Sequence, residues 1–112
     1  MKLTTELDGD VLRIRLDEDR LDSAVSTRFK DNVRQAMAAG GGTVLMDLGK
    51  VDFMDSSGLG ALIAVLKSMP RDRRLELENL RPNVQRVFRL TRMDDVFTVR
   101  GGIGPDPARQ AV

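Results

Sequence analysis

Residues 44–60 read VLMDLGKVDFMDSSGLG, and this stretch organises the rest of the chain. Its first five residues, 44–48, are almost wholly apolar, which is typical of a β-strand whose two faces are both buried. Four polar or small residues, DSSG, follow at 55–58. After them Leu59, Leu62, Ile63 and Leu66 recur every three or four positions, which predicts an amphipathic helix. The stretch therefore predicts a buried strand that leads through a short connection into the start of a helix.

Two adjacent serines, Ser56 and Ser57, lie at that helix start. Backbone N–H groups in the first turn lack partners within the helix and carry partial positive charge, so the position tolerates an anion, including a phosphate. Simple capping by Asp55 or a serine is the alternative explanation, because both residue types are common N-caps. A cap needs only one polar side chain, however. Gly58 and Gly60 each cost roughly 1 kcal/mol relative to alanine in a helix, so we expect another backbone to pass close to them.

The composition restricts the class of protein. A chain of 112 residues with 41% hydrophobic and 31% charged residues predicts one soluble globular domain. No apolar run approaches the roughly 20 residues of a membrane-spanning helix, so no membrane partner is expected. The first ten residues, MKLTTELDGD, have no apolar segment of the kind that a signal peptide contains, which favours a cytoplasmic location.

The chain contains neither cysteine nor histidine. It therefore has no disulfide, thiolate nucleophile or thiolate metal site, and it lacks the usual general base, the commonest metal ligand and the usual partner of a catalytic serine. A hydrolase that uses Ser56 is disfavoured, although a serine–lysine pair stays formally possible. We expect no enzyme activity, no cofactor and no metal site. A net charge of +1 without tyrosine or tryptophan also argues against direct nucleic-acid binding.

The remaining elements follow from periodicity and turn residues. Alternation predicts a hairpin over residues 3–16 with its turn at 8–10, and a strand over 75–78. A helix capped by Asp22 or Ser23 should turn an apolar stripe inward and end at glycines 40–42; its stripe comprises Val25, Phe29, Val33, Ala36 and Met37. The second helix should reach about Met69. Residues 71–74 predict a solvated turn, residues 80–91 a third helix with Pro82 near its start, and residues 94–99 a short strand or helix.

These elements predict the α/β class: a single domain over residues 1–100 with a mixed β-sheet of about four to five strands packed with about four helices. Residues 101–112 are poor in apolar side chains and predict a flexible C-terminal tail.

The segment 51–60, VDFMDSSGLG, resembles the signature of the STAS-domain anti-sigma factor antagonists, also called anti-anti-sigma factors. The resemblance extends over residues 3–99, because the hairpin, Leu21 and Asp22 before the first helix and the element order also match. It implies that Ser56, directly after Asp55, is phosphorylated by the anti-sigma factor, a serine kinase of the GHKL ATPase type; Ser57 is the second choice. The unphosphorylated protein would bind the anti-sigma factor and release sigma factor. Phosphorylation would end binding, and a serine phosphatase would reset the switch.

The same resemblance implies a surface for partner binding around the serines; its residues are Leu21, Asp22, Asp55, Ser56, Ser57, Gly58 and Leu59. For Asp22 a plain helix cap is an equally good explanation. Gly58, Leu59 and Gly60 are expected to let the helix start pack closely rather than to carry chemistry.

Two features depart from the family pattern. Residues 70–74 lack the glycine turn that usually precedes the next strand. Arginines at 86, 89 and 92 make the third helix unusually basic, either as a solvated face or as part of a partner surface. An alternative function is a STAS scaffold or accessory subunit, in a stressosome-like or lipid-transport complex, in which the serine would be structural.

Overall fold

The computed structural model describes residues 1–104, which form two sheets and three α-helices. The strands are β1 (Leu3–Asp8), β2 (Val11–Leu16), β3 (Arg20–Leu21), β4 (Thr43–Asp47), β5 (Phe53–Met54), β6 (Arg74–Glu78) and β7 (Thr98–Val99). The helices are α1 (Ser26–Ala36), α2 (Ser56–Lys67) and α3 (Pro82–Thr91), with single 3₁₀ turns at Met37–Ala39 and Met93–Asp95. The predicted α/β class with a mixed sheet is confirmed, with three α-helices and two 3₁₀ turns where about four helices were expected.

The main sheet has five strands in the order β1-β2-β4-β6-β7. Only β1 and β2 are antiparallel among these described strands, joined by the predicted turn, in which Gly9 has a φ of 59°. The pairs β2–β4, β4–β6 and β6–β7 are parallel, and each is connected through one of the three helices. A second sheet of two parallel strands, β3 and β5, was not predicted.

The core lies between the helices and one face of the main sheet. Alternate residues of β2, β4 and β6 point into it, as the period of two requires. Phe29 and Val33 of α1 are fully buried against them, while Val25, Ala36 and Met37 are partly buried, so the predicted stripe is confirmed. Strand β4 is buried on both faces as expected: Val44, Leu45 and Met46 are all completely inaccessible; the other core members of the sheet are Leu12, Ile14, Leu16, Leu75 and Leu77.

The opposite face of the sheet is charged and internally paired. Glu76 is buried in its centre and accepts ion pairs from Arg100 at 2.7 Å and from Arg74 at 2.9 Å. Arg13 reaches Glu78 at 3.0 Å. Leu45, in register between Arg13 and Glu76, has no exposed surface, because long charged side chains cover it with their apolar stems.

Three local expectations need correction. Helix α1 begins at Ser26 after Val25, without a side-chain cap, because Asp22 instead closes the preceding turn by accepting from the Ala24 amide at 3.1 Å. Helix α2 ends at Lys67, two residues early. Residues 94–99 contain both a 3₁₀ turn and the strand β7.

Residues 71–74 do not form a merely solvated turn. The guanidinium of Arg73 donates to the carbonyl oxygens of Gly41 at 2.8 Å, Gly40 at 2.8 Å and Met37 at 3.0 Å. These carbonyls belong to the 3₁₀ turn and the glycines that follow α1, and that of Met37 also accepts from the Gly40 amide at 3.1 Å. Arg73 therefore ties the β6 entry to the end of α1. The proposed tail lies mostly outside the described residues.

Candidate functional site

The start of α2 is capped by Asp55 alone. Its Oδ1 accepts from the amide of Gly58 at 2.9 Å, and its Oδ2 accepts from the amide of Ser23 at 3.4 Å. Ser56 and Ser57 are both exposed, and within residues 1–104 neither hydroxyl has a hydrogen-bond partner. Capping therefore explains Asp55 and leaves the two serine hydroxyls free for another role.

Gly58 is required by a close approach between two backbones, as predicted. A β-carbon at this position would lie 1.9 Å from the carbonyl oxygen of Leu21 and 2.7 Å from its carbonyl carbon. The expectation is wrong for Gly60, which is exposed and has open space where a β-carbon would stand. Because Gly60 follows Ser56 by one helical turn, it leaves the helix surface beside that serine free of side chains.

The two-stranded sheet holds the loop before α1 against the start of α2. Leu21 pairs with Met54, and both side chains are buried. On the outer side Arg20 pairs with Phe53, which is 49% exposed. The amides of Asp52 and Phe53 add to this by donating to the carbonyl oxygen of Asp19 at 2.8 and 3.2 Å. The sheet thus sorts its four side chains into a buried pair and an exposed pair.

The exposed pair forms an ordered surface. The guanidinium carbon of Arg20 lies 5.5 Å from the centroid of the Phe53 ring, and Nε of Arg20 lies 2.9 Å from Oδ2 of Asp22. Arg20 thus lies over one face of the ring and pairs with Asp22, while its own side chain is 58% exposed. Sequence reasoning missed Arg20 and Phe53, because two-residue strands are too short to show alternation.

The sequence-predicted residues divide into two groups. Asp22, Asp55, Ser56 and Ser57 come together at the surface, where they are exposed or partly exposed. Leu21 is completely buried, Leu59 is 7% exposed and Gly58, which has no side chain, is buried; none of the three offers a side chain to a partner. These three were expected in the partner surface, but they pack inward because β3 and the first turn of α2 each direct one side to the core.

The electrostatic character around the serines is acidic. Asp22 and Asp55 flank them, and Arg20 already pairs with Asp22. Asp52 is 56% exposed and lies 3.9 Å from Arg81, an exposed pair that contributes little. Among residues 1–104 no cluster of side chains suits a metal ion, and none of the helices there is long and apolar enough to span a membrane.

The chain is similar to known proteins in family and in fold. The model of the STAS domain family matches residues 2–104. An anti-sigma factor antagonist from Mycobacterium paratuberculosis is structurally similar, with a TM-score of 0.78, 21% identity, and coverage of 99% of this chain and 92% of that one. The phosphorylated form of the Bacillus cell fate determinant SpoIIAA gives a TM-score of 0.58 at 21% identity over 88% of this chain and 90% of that one.

The same fold also occurs inside a much larger protein. The murine anion transporter Slc26a9 matches with a TM-score of 0.68 and 19% identity, covering 76% of this chain but only 14% of the transporter. At these identities the solved structures show the fold that this chain shares with them. The family match itself spans nearly all described residues, and the chain belongs to the STAS domain family.

Proposed function

We propose that this protein is an anti-sigma factor antagonist whose binding to a GHKL-type serine-kinase anti-sigma factor is switched off by phosphorylation of Ser56. One observation carries the proposal. Asp55 already caps α2, so the exposed hydroxyl of Ser56 lies at a helix N-terminus and makes no hydrogen bond among the described residues. The VDFMDSSGLG segment supports the same role, as does the likeness in fold to two anti-sigma factor antagonists, the Mycobacterium paratuberculosis protein and SpoIIAA.

The switch is expected to act at the surface and to leave the fold intact. A phosphate adds about −1.5 to −2 charge units, which the unpaired amides and partial positive charge of a helix start tolerate. The same charge stands next to Asp55 and close to the segment that carries Asp22, so the local field becomes strongly negative. A partner that accepts the acidic, unmodified surface would meet added bulk and charge.

The partner surface that we propose comprises Asp22, Asp55, Ser56 and Ser57, extended by the exposed pair Arg20 and Phe53. Leu21, Gly58 and Leu59 support it from below. Phe53 supplies the apolar area that a stable contact needs, and Arg20, paired with Asp22, lies over one face of its ring.

The switch requires a definite difference in binding free energy between the unmodified and the phosphorylated protein. Changing occupancy from 99% bound to 1% bound requires a difference of about 5.5 kcal/mol between the two forms. A phosphate placed inside the contact area, together with the loss of nearby contacts, is a sufficient source. A serine phosphatase would return the protein to the binding form. The role requires no catalysis, cofactor, metal or nucleic-acid contact by this chain, and we place it in the cytoplasm.

Binding measurements on matched serine variants test the proposal. Ser56→Ala should bind the anti-sigma factor as the unmodified protein does, even after incubation with ATP, whereas Ser56→Asp should bind poorly. Ser57→Asp is the control for charge at the neighbouring position. Equal affinity of Ser56→Asp and the unmodified protein would contradict the charge mechanism.

A second candidate is a STAS accessory or scaffold subunit, which the occurrence of the fold within a transporter favours. In that case Ser56 would be structural, and the protein would remain in a stable complex without being phosphorylated. Purification of the native complex distinguishes the two functions: a stable assembly that contains a transporter or scaffold, with no phosphate on Ser56, supports the second one.

A further inference from the structure

The outer edge of the main sheet is formed by β1, and within residues 1–104 no strand pairs with its outer side. The carbonyl oxygen of Lys2 accepts from the amide of Asp17 at 2.9 Å, which places Lys2 in a hydrogen-bonded pair with the residue that follows β2. Hydrogen-bonded and non-hydrogen-bonded pairs alternate in an antiparallel ladder. The backbone groups of Leu3, Thr5 and Leu7 therefore point away from the sheet, where they offer three donors and three acceptors.

The side chains of this edge have two distinct faces. Leu3, Thr5 and Leu7 oppose Leu16, Ile14 and Leu12, so they lie on the side of the core. Leu7 is nevertheless 49% exposed, whereas its neighbour Leu12 is 1% exposed. The apolar face of the sheet thus continues to the edge and is left uncovered there. Lys2, Thr4, Glu6 and Asp8 lie on the charged side and are all exposed.

We propose that β1 pairs antiparallel with β1 of a second copy of this chain, with Thr5 opposite Thr5 of that copy. In this register all three outward-facing residues form hydrogen-bonded pairs. Leu3 stands opposite Leu7 of the second copy, and Lys2 stands opposite Asp8 of the second copy. Each of these pairs occurs twice, because the arrangement has two-fold symmetry.

The charges and the leucines of β1 together favour this register. Charged side chains on an edge strand usually prevent pairing, but here a cation at one end and an acid at the other match when two copies run antiparallel. A shift of two residues in one direction places Glu6 opposite Glu6 of the second copy, which is repulsive. The shift in the other direction keeps an attractive pair, Lys2 opposite Glu6 of the second copy, but it loses the leucine pair and leaves Asp8 without a partner.

The contact is small, because it joins two sheets through one strand each. Interfaces that bury little surface are usually weak, so we expect the dimer population to depend on the concentration of the chain. The contact uses neither the serines nor the loop at Asp22, so it does not depend on the proposed switch.

Charge reversal tests the pairing most specifically. In sedimentation equilibrium of the full chain, Lys2→Asp and Asp8→Lys should each weaken dimerisation about tenfold, since each converts two attractive pairs into two repulsive ones. The double variant Lys2→Asp/Asp8→Lys should restore it, and so should mixing the two single variants. Lys67→Asp and Asp72→Lys are matched controls on exposed residues outside β1 and should dimerise as the unmodified chain does. A chain that is monomeric at every concentration, or a dimer indifferent to these reversals, overturns the proposal.

A cysteine probe tests the register, since the chain has no cysteine of its own. Residues in a hydrogen-bonded antiparallel pair have Cα atoms about 5.5 Å apart, within the range for a disulfide. Thr5→Cys should therefore form a disulfide-linked dimer under mild oxidation. Thr4→Cys, whose two copies are displaced along the strands, should do so far more slowly. Equal rates, or cross-linking only through position 4, would contradict the register.

Discussion

The carbonyl oxygen of Leu21 occupies the space that a β-carbon at Gly58 would need, at a separation of 1.9 Å. Backbone and not a flexible side chain fills that space, so neither partner moves without displacing β3 or the first turn of α2. The serines, the Asp55 cap and the loop at Asp22 are thus held in one arrangement by a contact that only glycine permits.

Gly58→Ala should therefore destabilise the protein by about 2–3 kcal/mol, the range expected when a packed site receives an extra carbon. Gly60→Ala is the matched control in the same helix turn. It meets open space and should be neutral or stabilising by up to about 1 kcal/mol, because alanine is the better helix former. Urea denaturation of both variants gives the free energies of unfolding, and equal stabilities would contradict the account.

Asp55→Ala should reduce the free energy of unfolding by about 1 kcal/mol through loss of the N-cap. Ser56→Ala should change it by less than about 0.5 kcal/mol, since its hydroxyl makes no hydrogen bond within residues 1–104 and the residue is exposed. Comparison of the two variants distinguishes the residue that caps the helix from the residue that is proposed to be phosphorylated. A Ser56→Ala protein as unstable as Asp55→Ala would return Ser56 to a structural role.

Asp17 is expected to stabilise the folded protein near neutral pH and to lose this effect in acid. Its pKa is lowered from 3.8 to about 2 by the Thr4 hydroxyl, then by Arg15 and by Lys50. The unfolded chain therefore takes up the proton first as pH falls, and the contribution, complete above pH 4 to 5, is lost towards pH 2. Asp17→Asn should be less stable than the unmodified protein near neutrality, and the difference should shrink on acidification in urea titrations. Thr4→Ala should reduce the acid sensitivity, and a pH-independent difference would exclude this cause.

Phe53→Ala should weaken binding of the anti-sigma factor about tenfold or more, because it removes the exposed aromatic ring beside the serine segment. Leu7→Ala is the matched control, with the same exposed fraction of 49% on the distant strand β1. Surface plasmon resonance at a chain concentration below that of dimerisation measures both. Similar losses for the two variants would remove Phe53 from the partner surface.

The strand-to-helix junction was predictable because its signals are local. Each segment carries its own signal: an apolar run at 44–48, polar residues at 55–58 and helical spacing after them. Gly58 indicated that another backbone passes close by, but the sequence did not show that this backbone is that of Leu21. What sequence could not supply depends on distant partners. Strands β3 and β5 have two residues each and exist through pairing with one another. In sequence Arg73 is predicted to be solvated, because the carbonyls after α1 to which it donates are distant along the chain.

The residues of the proposed partner surface show the same limit. Leu21 lies in the expected segment, but its side chain points from β3 into the core, while that of its neighbour Arg20 faces outward. Choosing between neighbours requires the direction of each side chain, which a two-residue strand does not reveal in sequence.

The most direct test of the switch is to incubate the full chain with a GHKL-type anti-sigma factor kinase from the same organism and Mg-ATP, map phosphate by mass spectrometry and measure kinase binding before and after. We predict one phosphate, on Ser56, absent from Ser56→Ala and present on Ser57→Ala, with loss of kinase binding. Stable binding with no phosphate on Ser56 would contradict the switch and make this chain an accessory STAS domain.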